Sequence, residues 1–153
     1  GVNDKLDVLF AISQPWDRIM AIRQISWTNG ERLFSGVATN NGHLRQTPTT
    51  PSIRILSGVE GPTTADLAVG ADGIVTETHN GASSRIGVNN GAYTTGSAGS
   101  ASTDGLRVGA NSGALSSWSN IRFYGGIMRG GTLADDQIAD MRRYLAAKAG
   151  VSL

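Results

Sequence analysis

Along most of the chain, short apolar segments alternate with polar ones and are cut at close intervals by glycine, the pattern of antiparallel strands joined by tight turns. The spacing predicts strands over residues 6–13, 18–27, 32–37, 44–46, 52–56, 67–69, 74–79, 84–88, 106–110 and 119–128. In Ser52-Ile-Arg-Ile-Leu and Leu106-Arg-Val-Gly-Ala, apolar residues alternate with polar or small ones, as in a sheet with one wetter face. In the last strand Ile121, Phe123 and Ile127 share one parity and Arg122, Tyr124 and Met128 the other. Asn-Gly at 29–30, 41–42, 80–81 and 90–91, with Asp-Gly at 72–73 and 104–105, supplies six hairpin signals, because these residues tolerate the positive φ of a type I′ turn. Residues 96–103 are small and polar throughout and read as a surface loop.

After Gly130-Gly131 the period changes. Ile138, Met141, Leu145 and Ala149 are spaced as one stripe of an amphipathic helix. Asp135 and Asp136 at its start and Lys148 at its end complement the helix dipole. Gly150 suits a left-handed stop, with Val151 as the apolar contact beyond it. Ala134 offers no capping oxygen, so Thr132 or Asp135 is expected to supply one. One helix closing a strand-rich chain must lay its stripe on a sheet. The fold class is all-β: a two-sheet antiparallel sandwich of jelly-roll type with one C-terminal α-helix.

Composition narrows the partners. The 153 residues read as a single domain, with no internal repeat or linker. A net charge of +1, with arginines scattered singly, argues against nucleic acid, and no apolar run approaches a membrane span. The absence of cysteine excludes disulfides and thiolate metal sites.

Four stretches carry a family resemblance. They are Gly1-Val-Asn-Asp-Lys-Leu, Asn80-Gly-Ala-Ser-Ser-Arg-Ile-Gly-Val-Asn-Asn-Gly, Gly105-Leu-Arg-Val-Gly-Ala, and Tyr124-Gly-Gly-Ile-Met-Arg-Gly-Gly-Thr-Leu-Ala-Asp-Asp-Gln-Ile followed by Tyr144-Leu-Ala-Ala-Lys-Ala-Gly. In that order they resemble the concanavalin A-like, laminin-G-like jelly rolls of bacterial and phage structural or tail proteins. The resemblance implies a domain cut from a longer protein, located on a virion or outside the cell. It also implies as partners a surface glycan or host receptor, or other virion or tail subunits, with a homotrimer as one assembly.

The fold hosts several chemistries, so each is tested on the residues. The paired carboxylates of a retaining glycosidase are missing: Glu31, Glu60 and Glu77 each lack a carboxylate two or four residues away. His43 and His79 lie in no triad or metal motif, and no nucleophile elbow occurs. The expectation is therefore a protein that is not an enzyme. No cofactor is expected, with calcium the one possibility the resemblance raises, and Asp72, Asp104 and Asn89 are the candidate ligands. For carbohydrate, which needs an aromatic face and a polar rim, the candidates are Trp118, Asn111, Tyr93 and Trp27. Two functions remain open: a non-catalytic recognition module for surface carbohydrate, and a structural virion or tail domain that binds protein.

Overall fold

Alternating segments bounded by glycine pair into eleven strands among the described residues, which in the computed structural model are 5–39, 41–111 and 117–153. In chain order they are β1 (Leu6–Ile12), β2 (Trp16–Gln24), β3 (Arg32–Ser35), β4 (His43–Gln46), β5 (Ile53–Leu56), β6 (Glu60–Thr64), β7 (Asp72–His79), β8 (Ser84–Val88), β9 (Thr94–Gly96), β10 (Thr103–Val108) and β11 (Ile121–Gly130). One helix, α1 (Asp135–Ala149), follows. Sheet A has the order β1-β10-β3-β4-β5-β6 and sheet B the order β11-β2-β7-β8-β9, every pairing antiparallel. This is the jelly-roll sandwich with a terminal helix. No helix of the described residues is long and apolar enough to cross a membrane.

Two apolar clusters follow from strand alternation. Between the sheets lie Met20, Ile22, Phe34, Leu44, Ile53, Ile55, Val75 and Ile86. On the outer face of sheet B, Ile19, Ala21 and Ile74 meet Ile138, Leu145 and Ala146 of α1. The helix thus covers the sheet whose strand β2 is apolar on both faces.

Local details depart from expectation for identifiable reasons. Strand β11 does not keep one parity. A bulge at Tyr124 sets two of its residues against one of β2, so Ile121 and Phe123 face the sandwich core, whereas Ile127 turns to the helix and Met128 to the core. Gly126 is required there because a Cβ would collide with the Met20 thioether. Asp72-Gly73 and Asp104-Gly105 are strand positions, not turns. At Gly73 the missing side chain admits Leu67, whose Cδ1 would lie 2.7 Å from a Cβ. Asn29-Gly30 connects one sheet to the other, so it makes no hairpin. Segment 67–69 is not a strand, and β6 and β9 are additional ones; β6, with Gly61 and Pro62, forms the edge of sheet A, where proline is tolerated. The 96–103 stretch is not wholly on the surface: Ala98 is buried in the core, and its carbonyl accepts the amides of Ser57 and Val59.

At α1 the C-terminal expectation holds. Gly150 is left-handed with φ 68°, its amide and that of Val151 reach the Ala146 carbonyl, and Val151 packs on the helix-side cluster. The N-terminus is satisfied differently from expectation. Neither Thr132 nor Asp135 caps it: Gln137 Oε1 reaches back to the Ala134 amide at 3.1 Å, Asp136 accepts the Gln137 amide, and Asp135 pairs with Arg85.

Candidate functional site

Chemically capable side chains collect in two places, one closed and one open. The closed place lies between the sheets. Alternation on β2 and β7 points Trp16, Arg18, Glu77 and His79 inward, all at most 1% exposed. Arg18 donates to both oxygens of Glu77 at 3.0 and 2.6 Å and to the Gly42 carbonyl at 2.8 Å. Its guanidinium also lies over the rings of Trp16 and Phe34. His79 stacks on Trp16 with ring centroids 3.6 Å apart. The Ser57 hydroxyl lies 2.6 Å from Nδ1 of His79 and Glu77 Oε2 lies 3.2 Å from Nε2, so Nε2–H donates to the carboxylate and Nδ1 accepts from serine. Burial pushes the imidazole down to about 4, against the pull of Glu77. Burial alone would raise Glu77, but the charge and hydrogen bonds of Arg18, with that of His79, hold its carboxyl below the usual range. The Ser57-His79-Glu77 row has the composition of a hydrolytic triad, but all three side chains are sealed from solvent. It ties the two sheets together.

The open place is the outer face of sheet A and the sandwich end beside it. Register sets Arg32 opposite Arg45, and Arg45 opposite Arg54, so three guanidiniums stand in a row across β3, β4 and β5. A bulge at Leu33 makes this possible, since it sends Leu33 and Phe34 into the core and leaves Arg32 opposite Arg45. Glu60 on β6 pairs with Arg45 and Arg54 together. Arg32 has no carboxylate partner among the described residues; it donates Nε–H to Nδ1 of His43 at 3.0 Å. Burial, with Arg45 nearby, lowers its proton affinity. His43 is fully buried and pushed down to about 3 by that burial and by the surrounding arginines.

Arg32 is also paired through an isolated parallel bridge with Trp118, and its amide donates to the Ser117 carbonyl. Trp27 lies at the same end, where the amides of Ile25 and Ser26 reach the Asn120 carbonyl. Both indoles are half-buried. Next to them an open cleft of about 230 Å³ is lined by Leu6, Val108, Ile121 and Phe123, with Lys5 and Ser119 as its polar members. Among the described residues six buried side-chain polar atoms lack a hydrogen-bond partner: Trp16 Nε1 in the closed place, and Trp27 Nε1, Ser119 Oγ, His43 Nε2, Arg45 Nε and Arg54 Nε in this region. Buried polar groups are normally satisfied, so this concentration distinguishes the region from the rest of the sandwich.

The expected site residues divide between these surroundings. Trp118 and Trp27 lie at one sandwich end; Asn111 follows β10, and its carbonyl accepts from Arg107 at 3.0 Å. Tyr93 is not with them. It lies on the β8–β9 turn, over Gly87 and between the guanidiniums of Arg85 and Arg142, and Arg142 donates to its hydroxyl. The three candidate calcium ligands are not brought together either. Asp72 begins β7, pairs with Arg23 and accepts from Tyr124 at 2.5 Å, and these bonds hold its carboxyl below its ordinary value. Asn89, with φ 52°, uses its side-chain oxygen on the Ile74 amide. Asp104 sits at the opposite end, where the β3–β4 loop directs three backbone amides and the Thr39 hydroxyl at it. Burial opposes its ionisation, and these donors outweigh burial and lower its pKa. No group of three or more His, Asp or Glu side chains among the described residues could hold a metal ion. The arginine row itself escapes sequence reading because residues 32, 45 and 54 meet only through strand register; their shared signal is a polar residue flanked by core positions, as in Leu44-Arg-Gln and Ile53-Arg-Ile.

No protein-family model and no curated protein matches the chain. Solved structures do. A mutant Trypanosoma rangeli sialidase displaying trans-sialidase activity aligns with TM-score 0.64 and 11% identity over 99% of this chain, which spans 24% of the sialidase. Domain 4 of AbnA, an extracellular GH43 arabinanase from Geobacillus stearothermophilus solved with arabinotriose, aligns with TM-score 0.57 and 12% identity over 89% of this chain and 69% of that one. At these identities the kinship is one of fold: an all-β jelly-roll-like sandwich shared with parts of carbohydrate-active proteins.

Proposed function

We propose that the domain is a non-catalytic carbohydrate-recognition module whose binding surface starts at the cleft beside Trp118 and continues onto the outer face of sheet A. The observation that carries this reading is the pair of unpartnered buried polar atoms, Trp27 Nε1 and Ser119 Oγ, at and beside two half-buried indoles. A sugar ring offers an apolar face for an indole and hydroxyls for such donors. The cleft is smaller than the ~300 Å³ of an ordinary small-molecule site, which suits one saccharide unit with the rest of the glycan lying along the sheet. The arabinotriose bound to the AbnA domain supports carbohydrate as the ligand class. Sealing of the Ser57-His79-Glu77 row supports the absence of catalysis. The resemblance of the Gly125-Gly-Ile-Met-Arg-Gly-Gly-Thr-Leu corner to phage and bacterial domains supports a place on a phage tail or a secreted bacterial protein.

A glycan-array screen of the purified domain tests this, repeated with calcium and with chelator. The expected result is a saturable hit that is insensitive to calcium and weakened about tenfold or more by Trp118→Ala, the order of a lost aromatic platform, with the melting temperature little changed. A folded domain that binds no glycan, or binds equally well without Trp118, overturns the reading.

A further inference from the structure

Cross-strand arginines directly opposite one another repel, and sheet A sets three in a row against one carboxylate. Glu60 straddles Arg45 and Arg54, leaving the charge of Arg32 uncompensated among the described residues. Arg32 occupies Nδ1 of His43, so the ring proton sits on Nε2, and that N–H is buried with no acceptor. The Nε–H groups of Arg45 and Arg54 also lack acceptors. Every unpartnered group in the row is a donor, two strands supply it, and the net charge beside it is positive. Such an arrangement matches an oxyanion, whose oxygens accept several hydrogen bonds at once while neutralising the guanidiniums. We propose that Arg32, His43 and Arg45 form an oxyanion subsite for the carboxylate or sulfate group of an acidic sugar, next to Trp118; the saccharide part of this assignment rests on the function proposed above. Acidic glycans are thereby separated from neutral ones, and the Arg32–Trp118 bridge fixes the spacing between the anionic substituent and the ring that carries it.

Two measurements test the subsite separately from the carbohydrate reading. In calorimetric titrations, an oligogalacturonide and a sulfated oligosaccharide are compared with neutral arabinotriose. The acidic ligands are expected to bind at least about tenfold tighter, the scale of one charge-assisted contact. Arg32→Gln is expected to erase that preference, Arg32→Lys to retain part of it, and whichever acidic ligand binds tighter identifies the oxyanion. In thermal melts, inorganic sulfate should stabilise the wild-type domain and not Arg32→Gln, whatever the outcome with sugars. Equal binding of acidic and neutral sugars, together with no sulfate effect, overturns the subsite and leaves the carbohydrate reading intact. A sulfate effect that depends on Arg32, without binding of any sugar, retains the oxyanion site and overturns its assignment to a saccharide.

Discussion

Arginine is used twice in this sandwich, in opposite ways. Between the sheets, Arg18 is matched oxygen for nitrogen by Glu77, takes the Gly42 carbonyl and rests on two aromatic rings. On the outer face of sheet A, Arg45 and Arg54 share one carboxylate, Arg32 has none among the described residues, and three buried donors in and beside the row have no acceptor. The same strand alternation builds both. The inner arrangement pairs its buried charges within itself, with only the Trp16 indole N–H left without an acceptor among the described residues, and it acts as a fastening, because a buried charge must be paired where it stands. The outer one is incomplete, so its missing acceptors can come from elsewhere. Residue type alone does not distinguish a binding group from a structural one; the hydrogen-bond inventory around it does.

The closed side is the more sensitive to a single change. Glu77→Gln leaves Arg18 buried without its counter-charge and is expected to destabilise the domain by ~3–5 kcal/mol, read from urea unfolding. A loss below about 1 kcal/mol, the scale of an exposed pair, would mean that the interior network is not closed.

Acid probes both sides at once. His79 and His43 titrate near 6.5 when unfolded but at about 4 and about 3 when folded, chiefly because burial disfavours the imidazolium. Their contribution is fully present above pH 6.5 and is lost as the pH falls toward 4 and 3, at ~1.4 kcal/mol per unit of difference for each ring. Asp17 and Glu31, raised by burial, act with the opposite sign and offset part of the loss. Unfolding free energies measured from pH 7 to pH 4 should therefore fall by a few kcal/mol, and His43→Gln should flatten that slope. A flat profile in the wild-type domain would contradict the burial of both rings.

The smallest effect on stability belongs to the open side. Glu60 is 54% exposed, and Glu60→Gln should cost less than about 1 kcal/mol. The same change removes the only carboxylate paired with the row among the described residues and should tighten binding of inorganic sulfate or an acidic sugar. Weaker anion binding in this variant would show that Glu60 aligns the guanidiniums rather than competing with their ligand.

Elements governed by local rules were legible in the sequence. The stripe from Ile138 to Ala149 and its Gly150 stop depend on residues within a few positions of one another; Asn41-Gly42, Asn80-Gly81 and Asn90-Gly91 do lie between neighbouring strands, but in longer connections than two-residue type I′ turns, and none of these asparagines takes a positive φ. Strand β6 was hidden because Glu60-Gly-Pro-Thr-Thr has almost no apolar pattern and gains its place by pairing with β5. Asp72 and Asp104 looked like turn residues because glycine follows each, yet at Gly73 the missing side chain admits Leu67 from outside the strands, and at Gly105 it admits the Val8 carbonyl of the paired strand β1. Trp118 drew attention by its polar neighbours, whereas nothing local to Trp27, Asn111 or Tyr93 told which of them lies near it. The arginine row was not recognisable, since only the registers of β3 with β4 and of β4 with β5 make neighbours of residues 32, 45 and 54.

The bulge at Tyr124 has a consequence for how this chain can change length. Before it, odd-numbered residues of β11 serve the sandwich interior; after it, they serve the helix. The strand is a phase switch with two clients, and deleting one residue at the switch would exchange Ile127 and Met128 between them. Insertions and deletions in β11 should therefore be tolerated in pairs and rejected singly, although the strand lies at a sheet edge where length variation is otherwise easily absorbed.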